Sequence, residues 1–144
     1  MTFFVDANVL IYSAVPSDYR EPCLEILEAI ARGDVAGRTS TAGLEEVWYI
    51  ELTGRAGDLA GLTERAYAIF APLLPVTDEV FRLALSLDAQ GIGANDRVHV
   101  ATCMAHGIDL IVSADSGFDR VRGVRRVDPL DTRACRKLLR SSRA

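Results

Sequence analysis

The segment DLIVSAD at residues 109–115 is a short apolar run that ends directly in a carboxylate, Asp115. A second run of this kind, FFV at residues 3–5, ends in Asp6. Short, continuously apolar strands are typical of parallel sheets that are covered on both faces. Ligands of such sheets bind beyond the carboxyl ends of the strands. We therefore expect Asp6 and Asp115 to lie at one edge of a parallel sheet.

Short predicted strands and helices alternate through the rest of the chain. Further strands are expected at residues 35–40, 73–76 and 124–127, and helices at residues 20–32, 42–53, 59–70, 78–90 and 96–106, with a last helix after Asp131. Residues 7–14 are expected to begin a helix, and Asp78 and Asn95 are expected to be N-caps. Alternation of this kind predicts an α/β fold, a three-layer α/β/α sandwich with a central parallel sheet, formed by one domain over residues 1–144.

The composition is that of an ordinary globular protein, with 49% hydrophobic and 25% charged residues among 144. No apolar segment approaches the roughly 20 residues that a membrane-spanning helix needs. Residues 1–14 lack the basic start of a secretory signal, and Asp6 interrupts their apolar run. We therefore expect a cytoplasmic protein without membrane contact. The three cysteines form no CxxC pair, so neither a disulfide framework nor a zinc site is indicated.

The net charge of −4 conceals an uneven distribution of charge along the chain. Residues 1–119 contain 7 basic and 18 acidic side chains, whereas residues 120–144 contain 9 basic and 2 acidic ones. A basic segment attached to an acidic body is typical of proteins that bind nucleic acid or an acidic partner. The alternative interpretation is that the arginines of this segment pair with the acidic body.

Further carboxylates are expected at the same edge of the sheet as Asp6 and Asp115. Asp96 opens a predicted helix, where the helix dipole favours negative charge, and a helix that follows a strand carries the adjacent residues Glu45 and Glu46. Helical periodicity does not choose between these two glutamates. Ionised carboxylates that lie together repel one another, and a hard divalent cation such as Mg²⁺ or Mn²⁺ removes the repulsion. A cation held in this way can activate water for the hydrolysis of a phosphodiester bond.

Four segments of the chain resemble the motifs of the PIN-domain ribonucleases, and most closely those of VapC-type toxins from toxin–antitoxin pairs. The segments are VDANVLIY (5–12), TSTAGLEEV (39–47), ANDRVHVATCMAHG (94–107) and LIVSADSGFD (110–119). The resemblance implies a parallel sheet between helices and a Mg²⁺ or Mn²⁺ site that cleaves single-stranded or looped RNA. It also implies a homodimer, and a cognate antitoxin that presents a basic side chain to the carboxylates.

By this resemblance, the catalytic and metal-binding set consists of Asp6, Glu46, Asp96 and Asp115. The family places its second acid directly before an aliphatic residue and six positions after Ser or Thr, a pattern that favours Glu46 over Glu45. Asn8 matches a supporting polar residue, Ser113 stands where the family has Thr or Ser, and Asp119 matches a further acid near the site. Arg97 replaces a small or apolar residue of the family and is expected to reach substrate phosphate or the neighbouring carboxylates.

The two histidines do not indicate an acid–base ribonuclease. His99 and His106 are seven residues apart on one predicted helix, which separates them by about 10 Å along the helix axis. They cannot converge on one phosphate, and His99 is expected at most at the rim of the site. Trp48, Tyr49 and Tyr67 are expected in the core or at an interface rather than in contact with bases.

Other functions agree less well with the sequence. A degenerate PIN-like module that binds RNA or protein without catalysis stays open, although the retained set of four acids argues against it. A receiver domain needs a lysine beside its acidic pocket, and the only lysine is Lys137 in the basic segment. A phosphatase of the DxDxT type is excluded because the motif is absent.

Overall fold

A four-stranded parallel sheet lies at the centre of the computed structural model, which describes residues 1–141. The strands are β1 (Thr2–Val5), β2 (Ala36–Arg38), β3 (Leu110–Val112) and β4 (Arg125–Val127), in the order β2-β1-β3-β4. The apolar strands β1 and β3 are neighbours in the interior of the sheet, with Val5 beside Val112. The edge strands β2 and β4 contain arginines. The interior strands are buried except for Thr2 at the start of β1, whereas each edge strand has an exposed residue and an arginine.

Helices cover both faces of this sheet. In the described part of the chain they are α1 (Ala7–Tyr12), α2 (Arg20–Ala31), α3 (Thr41–Thr53), α4 (Leu62–Phe70), α5 (Asp78–Ser86), α6 (Ala94–Ala105) and α7 (Thr132–Ser141). Side chains alternate between the two faces of a strand. Phe3 and Val5 accordingly pack in one apolar cluster with α2 and α7, whereas Phe4 packs in a second cluster with α6. The prediction of a three-layer α/β/α fold is confirmed.

The strand predicted at residues 73–76 does not form. Leu74 makes an isolated parallel bridge with Ser40, next to the end of β2. Pro72 and Pro75 stand on either side of Leu74 and have no N–H group to donate to a strand ladder. The apolar pattern is therefore present, but the hydrogen bonding that would extend the bridge into a strand is not.

One predicted helix start and one predicted N-cap are also wrong. α4 begins at Leu62 rather than at residue 59, because Gly61 directly before it adopts a left-handed backbone with φ of 82°. The N-cap of α5 is Thr77, whose hydroxyl accepts a hydrogen bond from the N–H of Val80 at 3.3 Å. Asp78 is thus the first residue of the helix, where its charge still faces the positive end of the dipole.

The segment between α5 and α6 departs from prediction at both ends. α5 ends at Ser86 rather than at residue 90. The N-cap of α6 is Gly93, so the predicted cap Asn95 lies in the first turn together with Asp96. The intervening main chain is bound by Arg97, as described below.

The last helix, α7, begins as predicted, because Oδ1 of Asp131 accepts a hydrogen bond from the N–H of Ala134 at 3.0 Å. Cys135 and Leu138 of α7 are buried in the same apolar cluster as residues of α2. Arg143 of the predicted basic segment lies outside the described residues. Among the helices that the structure describes, none is both long enough and apolar enough to cross a membrane.

Candidate active site

Asp6 stands at the carboxyl end of β1 and is held by three donors. Its Oδ1 accepts a hydrogen bond from the N–H of Ala7 at 2.8 Å, so Asp6 is the N-cap of α1. Its Oδ2 accepts hydrogen bonds from the hydroxyl of Ser113 at 2.7 Å and from the amide of Asn8 at 3.1 Å. Only 4% of the residue is exposed. The first acid therefore has one orientation, which the ends of two strands determine together.

Asn8 and Ser113 connect the carboxyl ends of β1 and β3. The amide nitrogen of Asn8 also donates to the hydroxyl oxygen of Ser113 at 3.1 Å, and its amide oxygen accepts from the N–H of Ala114 at 3.2 Å. The Ser113 oxygen in turn accepts from the N–H of Asp115 at 3.0 Å. Both residues predicted to support the site therefore bind Asp6 or the main chain beside Asp115.

The other predicted acids face the same cleft from separate elements. Asp6, Glu46, Asp96 and Asp115 all line a cleft of about 550 Å³. Glu46 comes from α3, whose N-cap Ser40 accepts a hydrogen bond from the N–H of Gly43 at 3.0 Å. Asp96 lies in the first turn of α6, and Asp115 caps the 3-10 turn at Ser116–Arg120. Glu45 also lines the cleft, but only Glu46 belongs to the tight group described next.

His99 is the residue that the sequence analysis missed. Its side chain is completely buried, and Nε2 lies 3.2 Å from Oε1 of Glu46 and 3.7 Å from Oδ1 of Asp6. Potential ligand atoms of Asp6, Glu46 and His99 all lie within 4.8 Å of one another. His99 is three residues after Asp96, and residues at this spacing share a helix face. That spacing was the available signal, and it places His99 at the floor of the site rather than at its rim.

Burial and mutual repulsion raise the pKa of two of the acids in this cleft. Burial raises the pKa of Asp6, outweighing the charge of His99 and the hydrogen bond from Ser113, which lower it. Burial, followed by the charges of Asp6 and Asp115, raises the pKa of Asp96 from 3.8 to about 6. Within residues 1–141, no arginine or lysine forms an ion pair with any of the four acids. Holding these carboxylates together in their ionised form destabilises the metal-free protein, and a bound cation would remove that repulsion.

The sequence matches the PIN domain family over residues 3–124, which include β1, β2, β3 and the four acids. The chain belongs to the PIN domain family. The resemblance of the motifs is thereby confirmed at the level of the family. β4 and α7 lie beyond the matched residues.

Two solved structures share the fold of this PIN domain. One is VapBC2 from Rickettsia felis bound to a DNA fragment from their promoter, with a TM-score of 0.67 and 16% identity over 89% of this chain and 98% of that chain. The other is FitAcB from Neisseria gonorrhoeae, with a TM-score of 0.66 and 17% identity over 90% of this chain and 99% of that chain. No curated protein matches the sequence. At these identities, the similarity to both structures shows a common fold.

Asp119 is not among the residues that line the cleft of the PIN domain. Its carboxylate receives two hydrogen bonds from the guanidinium of Arg126, at 2.9 and 3.0 Å. These bonds lower the pKa of Asp119. Arg126 also binds Asp128 at 3.2 Å. The carboxylate that was predicted as a further acid of the site instead joins the 3-10 turn to β4.

Arg97 does not contact the acids, which was one of its two expected roles; contact with substrate phosphate stays a prediction. Its guanidinium donates hydrogen bonds to three main-chain carbonyls of the segment between α5 and α6, at 3.3, 2.7 and 2.6 Å, those of Ile92, Leu87 and Ala89. A guanidinium has five N–H donors in a rigid fork, and here the fork replaces the helical hydrogen bonds that these carbonyls lack. Arg97 therefore shapes the chain that leads into α6 and Asp96.

The aromatic residues Trp48, Tyr49 and Tyr67 do not lie in the core, so of the two expected places, core or interface, only an interface stays a prediction. Each is more than half exposed, and together with Leu52 they line a groove between α3 and α4. Tyr49 lines both this groove and the acidic cleft. An apolar surface of this kind, continuous with a cleft, is typical of a binding site for another molecule.

The donor set of the cleft fits a divalent metal ion. Carboxylate oxygens are the ligands that Mg²⁺ and Mn²⁺ prefer, and Asp6 and Glu46 offer such oxygens within 4.8 Å of each other. Asp96 and Asp115 face the same space. Burial raises the pKa of Asp6, and burial together with the charges of Asp6 and Asp115 raises the pKa of Asp96, so a cation in the cleft would favour the ionised form of both acids.

Proposed function

We propose that this PIN domain is a metal-dependent endoribonuclease, and that Asp6, Glu46, Asp96 and Asp115 hold Mg²⁺ or Mn²⁺ in its active site. The observation that carries the proposal is the convergence of four carboxylates from β1, α3, α6 and the end of β3 on one cleft. Carboxylates with perturbed pKa values in a cleft are typical of functional sites. Family membership directs this inference towards a nuclease.

The residues of the cleft would prepare the metal site before substrate arrives. Asp6 is fixed by Ala7, Asn8 and Ser113, and Asp115 is fixed by the N–H of Gly117, which donates to its Oδ1 at 2.8 Å. When bound, the metal ion supplies an activated water and neutralises charge on the phosphate. The pre-set carboxylates reduce the ordering that metal binding would otherwise require. Among the described residues, the cleft presents no Ser, Thr or Cys side chain in the role of a nucleophile.

The basic face of α7 is proposed to bind the RNA backbone. Arg133, Arg136, Lys137 and Arg140 are exposed on one surface, and none of them has an ion-pair partner among the described residues. Arg126 of the same segment does pair with acids, so pairing with the acidic body accounts for that residue but not for α7. Since α7 follows β4, its first turn lies towards the carboxyl edge of the sheet, where the acids are.

We further propose that the partner of this protein is an antitoxin, as in a VapC-type pair. Support comes from the motifs and from the common fold with chains of VapBC2 and FitAcB. The aromatic groove beside the cleft offers an apolar surface on which an antitoxin segment would dock, with a basic side chain reaching the acids. Trp48 is the only tryptophan of the chain, so its fluorescence would report docking directly. The homodimer and the cytoplasmic location stay predictions, and light scattering tests the first of them.

Cleavage assays on single-stranded and hairpin RNA test the proposed function. With Mg²⁺ or Mn²⁺ we expect internal cuts that chelator stops, and products with 5′-phosphate and 3′-hydroxyl ends, because water is the nucleophile. Glu46→Gln should lose most activity, whereas the matched variant Glu45→Gln should retain it. Products with 2′,3′-cyclic phosphate ends would contradict the mechanism. RNA binding without cleavage under all metal conditions would favour the non-catalytic PIN-like module.

A further inference from the structure

We propose that His99 is a positioning residue that holds Glu46 in place by donating a hydrogen bond from Nε2, and that it is not itself a ligand of the metal ion. The inference rests on the proposed function in one respect, because Glu46 matters as a proposed metal ligand. The contact itself is a property of the protein without metal. Its distance is 3.2 Å between Nε2 of His99 and Oε1 of Glu46.

Glu46 has one hydrogen-bond donor among the described residues, and that donor is a side chain from another helix, His99. Asp6 receives hydrogen bonds from three groups, and Asp115 receives one from the main chain of its own turn. For Glu46, the described residues provide one hydrogen-bond partner, His99, although 28% of the glutamate side chain is exposed. A long, partly exposed side chain has several rotamers available. His99 is therefore the group that selects the rotamer in which Glu46 faces Asp6.

The buried environment of His99 determines which nitrogen carries hydrogen. Nδ1 is buried and has no hydrogen-bond partner among the described residues. A hydrogen on Nδ1 alone would leave a buried N–H unsatisfied, and it would turn the lone pair of Nε2 towards a carboxylate oxygen at 3.2 Å. A hydrogen on Nε2 avoids both penalties. This hydrogen is present whether the ring is neutral or protonated, so the donation to Glu46 does not depend on the charge of His99.

The same reasoning argues against coordination of a metal ion by His99. A ligand role needs an Nε2 without hydrogen, and the hydrogen would then have to move to Nδ1. Histidine ligands of metals usually donate their second N–H to a carboxylate, a carbonyl or water. No such acceptor is present for Nδ1 in the described part of the chain. His99 is therefore suited to orient an acid that binds the metal.

Nitrogen NMR of the metal-free protein tests the inference directly. The chain has two histidines, and His106→Gln assigns their signals by removing one of them. We expect hydrogen on Nε2 of His99, and we expect it to persist when Mg²⁺ is added. A neutral ring with hydrogen on Nδ1, or loss of the Nε2 hydrogen on addition of Mg²⁺, would overturn the proposal. This measurement needs no activity, so it remains informative if the protein proves not to cleave RNA.

Two substitutions separate hydrogen bonding from packing. His99→Leu fills the site without a donor, whereas His99→Gln retains an amide N–H near the position of Nε2. We expect His99→Leu to weaken Mn²⁺ binding by about tenfold, as is typical when an outer-shell partner is lost, and His99→Gln to restore most of it. In the Glu46→Gln background, His99→Leu should have little further effect, because its partner is already gone.

If His99→Leu and His99→Gln lose the same amount of Mn²⁺ affinity, the positioning role is overturned. It is also overturned if the effects of the His99 and Glu46 substitutions on Mn²⁺ affinity are additive. If His99→Leu does not fold, the positioning role is still tested by the Mn²⁺ affinity of His99→Gln relative to wild type and by the NMR measurement. Failure of the proposed metal-dependent function would give a different result from failure of the positioning role. In that case Asp6→Asn would bind Mn²⁺ as well as wild type, and the hydrogen bond between His99 and Glu46 would still be observed.

Discussion

Replacing Asp96 with asparagine should stabilise the metal-free protein at neutral pH, although it removes a favourable charge from the first turn of α6. The pKa of Asp96 is raised from 3.8 to about 6 by burial and by the charges of Asp6 and Asp115. A shift of this size corresponds to about 3 kcal/mol, and we reduce it to about 1–2 kcal/mol because Asp96 is only partly buried and solvent screens its charge. The helix dipole opposes the gain by less than about 1 kcal/mol, so the net effect remains stabilising.

The stabilisation of Asp96→Asn relative to the wild type should increase as pH rises. Between about pH 4 and pH 6 the folded protein keeps a proton on Asp96 that the unfolded chain has released, so the free energy of unfolding of the wild type falls as pH rises through this window. The raised pKa of Asp6 acts in the same sense. Asp96→Asn cannot titrate at this position. Its advantage over the wild type should therefore be near zero at about pH 4 and complete at about pH 7.5.

Thermal melts of both proteins, in chelator and in Mn²⁺, measure this prediction. In chelator at about pH 7.5 the variant should melt higher, by roughly 2–4 °C for a net gain of about 1 kcal/mol, and in Mn²⁺ its increase in melting temperature should be smaller than that of the wild type. Glu79→Gln is the matched control, because Glu79 is an exposed acid in the first turn of α5, away from the cleft. A lower melting temperature for Asp96→Asn in chelator, or equal responses to Mn²⁺, would refute the convergence of repelling acids.

Three other predictions concern the surface and the frame of the site. A variant in which Arg136, Lys137 and Arg140 of α7 are all neutralised should bind RNA with a weaker salt dependence. The slope of log affinity against log salt concentration should fall by about 0.7 per lost phosphate contact. An unchanged slope would assign that face to another partner. Arg97→Met should lower the free energy of unfolding by about 2–4 kcal/mol in urea melts, because three carbonyls lose their donor, and a loss below about 1 kcal/mol would contradict this role. Gly37→Ala should cost about 1–3 kcal/mol, since the added methyl would overlap a side chain of α2; a neutral result would show that α2 moves to accommodate it.

Much of the frame was predictable because it depends on local pattern. The interior strands are apolar at residues 3–5 of β1 and throughout β3, and they are followed by Asp6 and Asp115, so both the sheet and the edge that carries these acids follow from short segments. The strand at residues 73–76 was predicted wrongly because an apolar pattern was given more weight than the prolines beside Leu74. The start of α4 was misplaced for a similar reason, since the left-handed Gly61 was not recognised as its boundary.

The sequence by itself determined the fold class and the carboxyl edge of the sheet at which Asp6, Asp96 and Asp115 lie, whereas only the resemblance to the family favoured Glu46 over Glu45. Only the tertiary structure decided which partner each polar side chain binds. His99 and Glu46 are 53 residues apart, and they meet because α6 packs beside α3. Asp119 and Arg97 were assigned to the site from their positions in motifs. In the structure, Asp119 binds Arg126, and Arg97 binds three main-chain carbonyls between α5 and α6. A periodic pattern states which face of an element is buried, whereas the choice of partner depends on distances that arise when the elements pack.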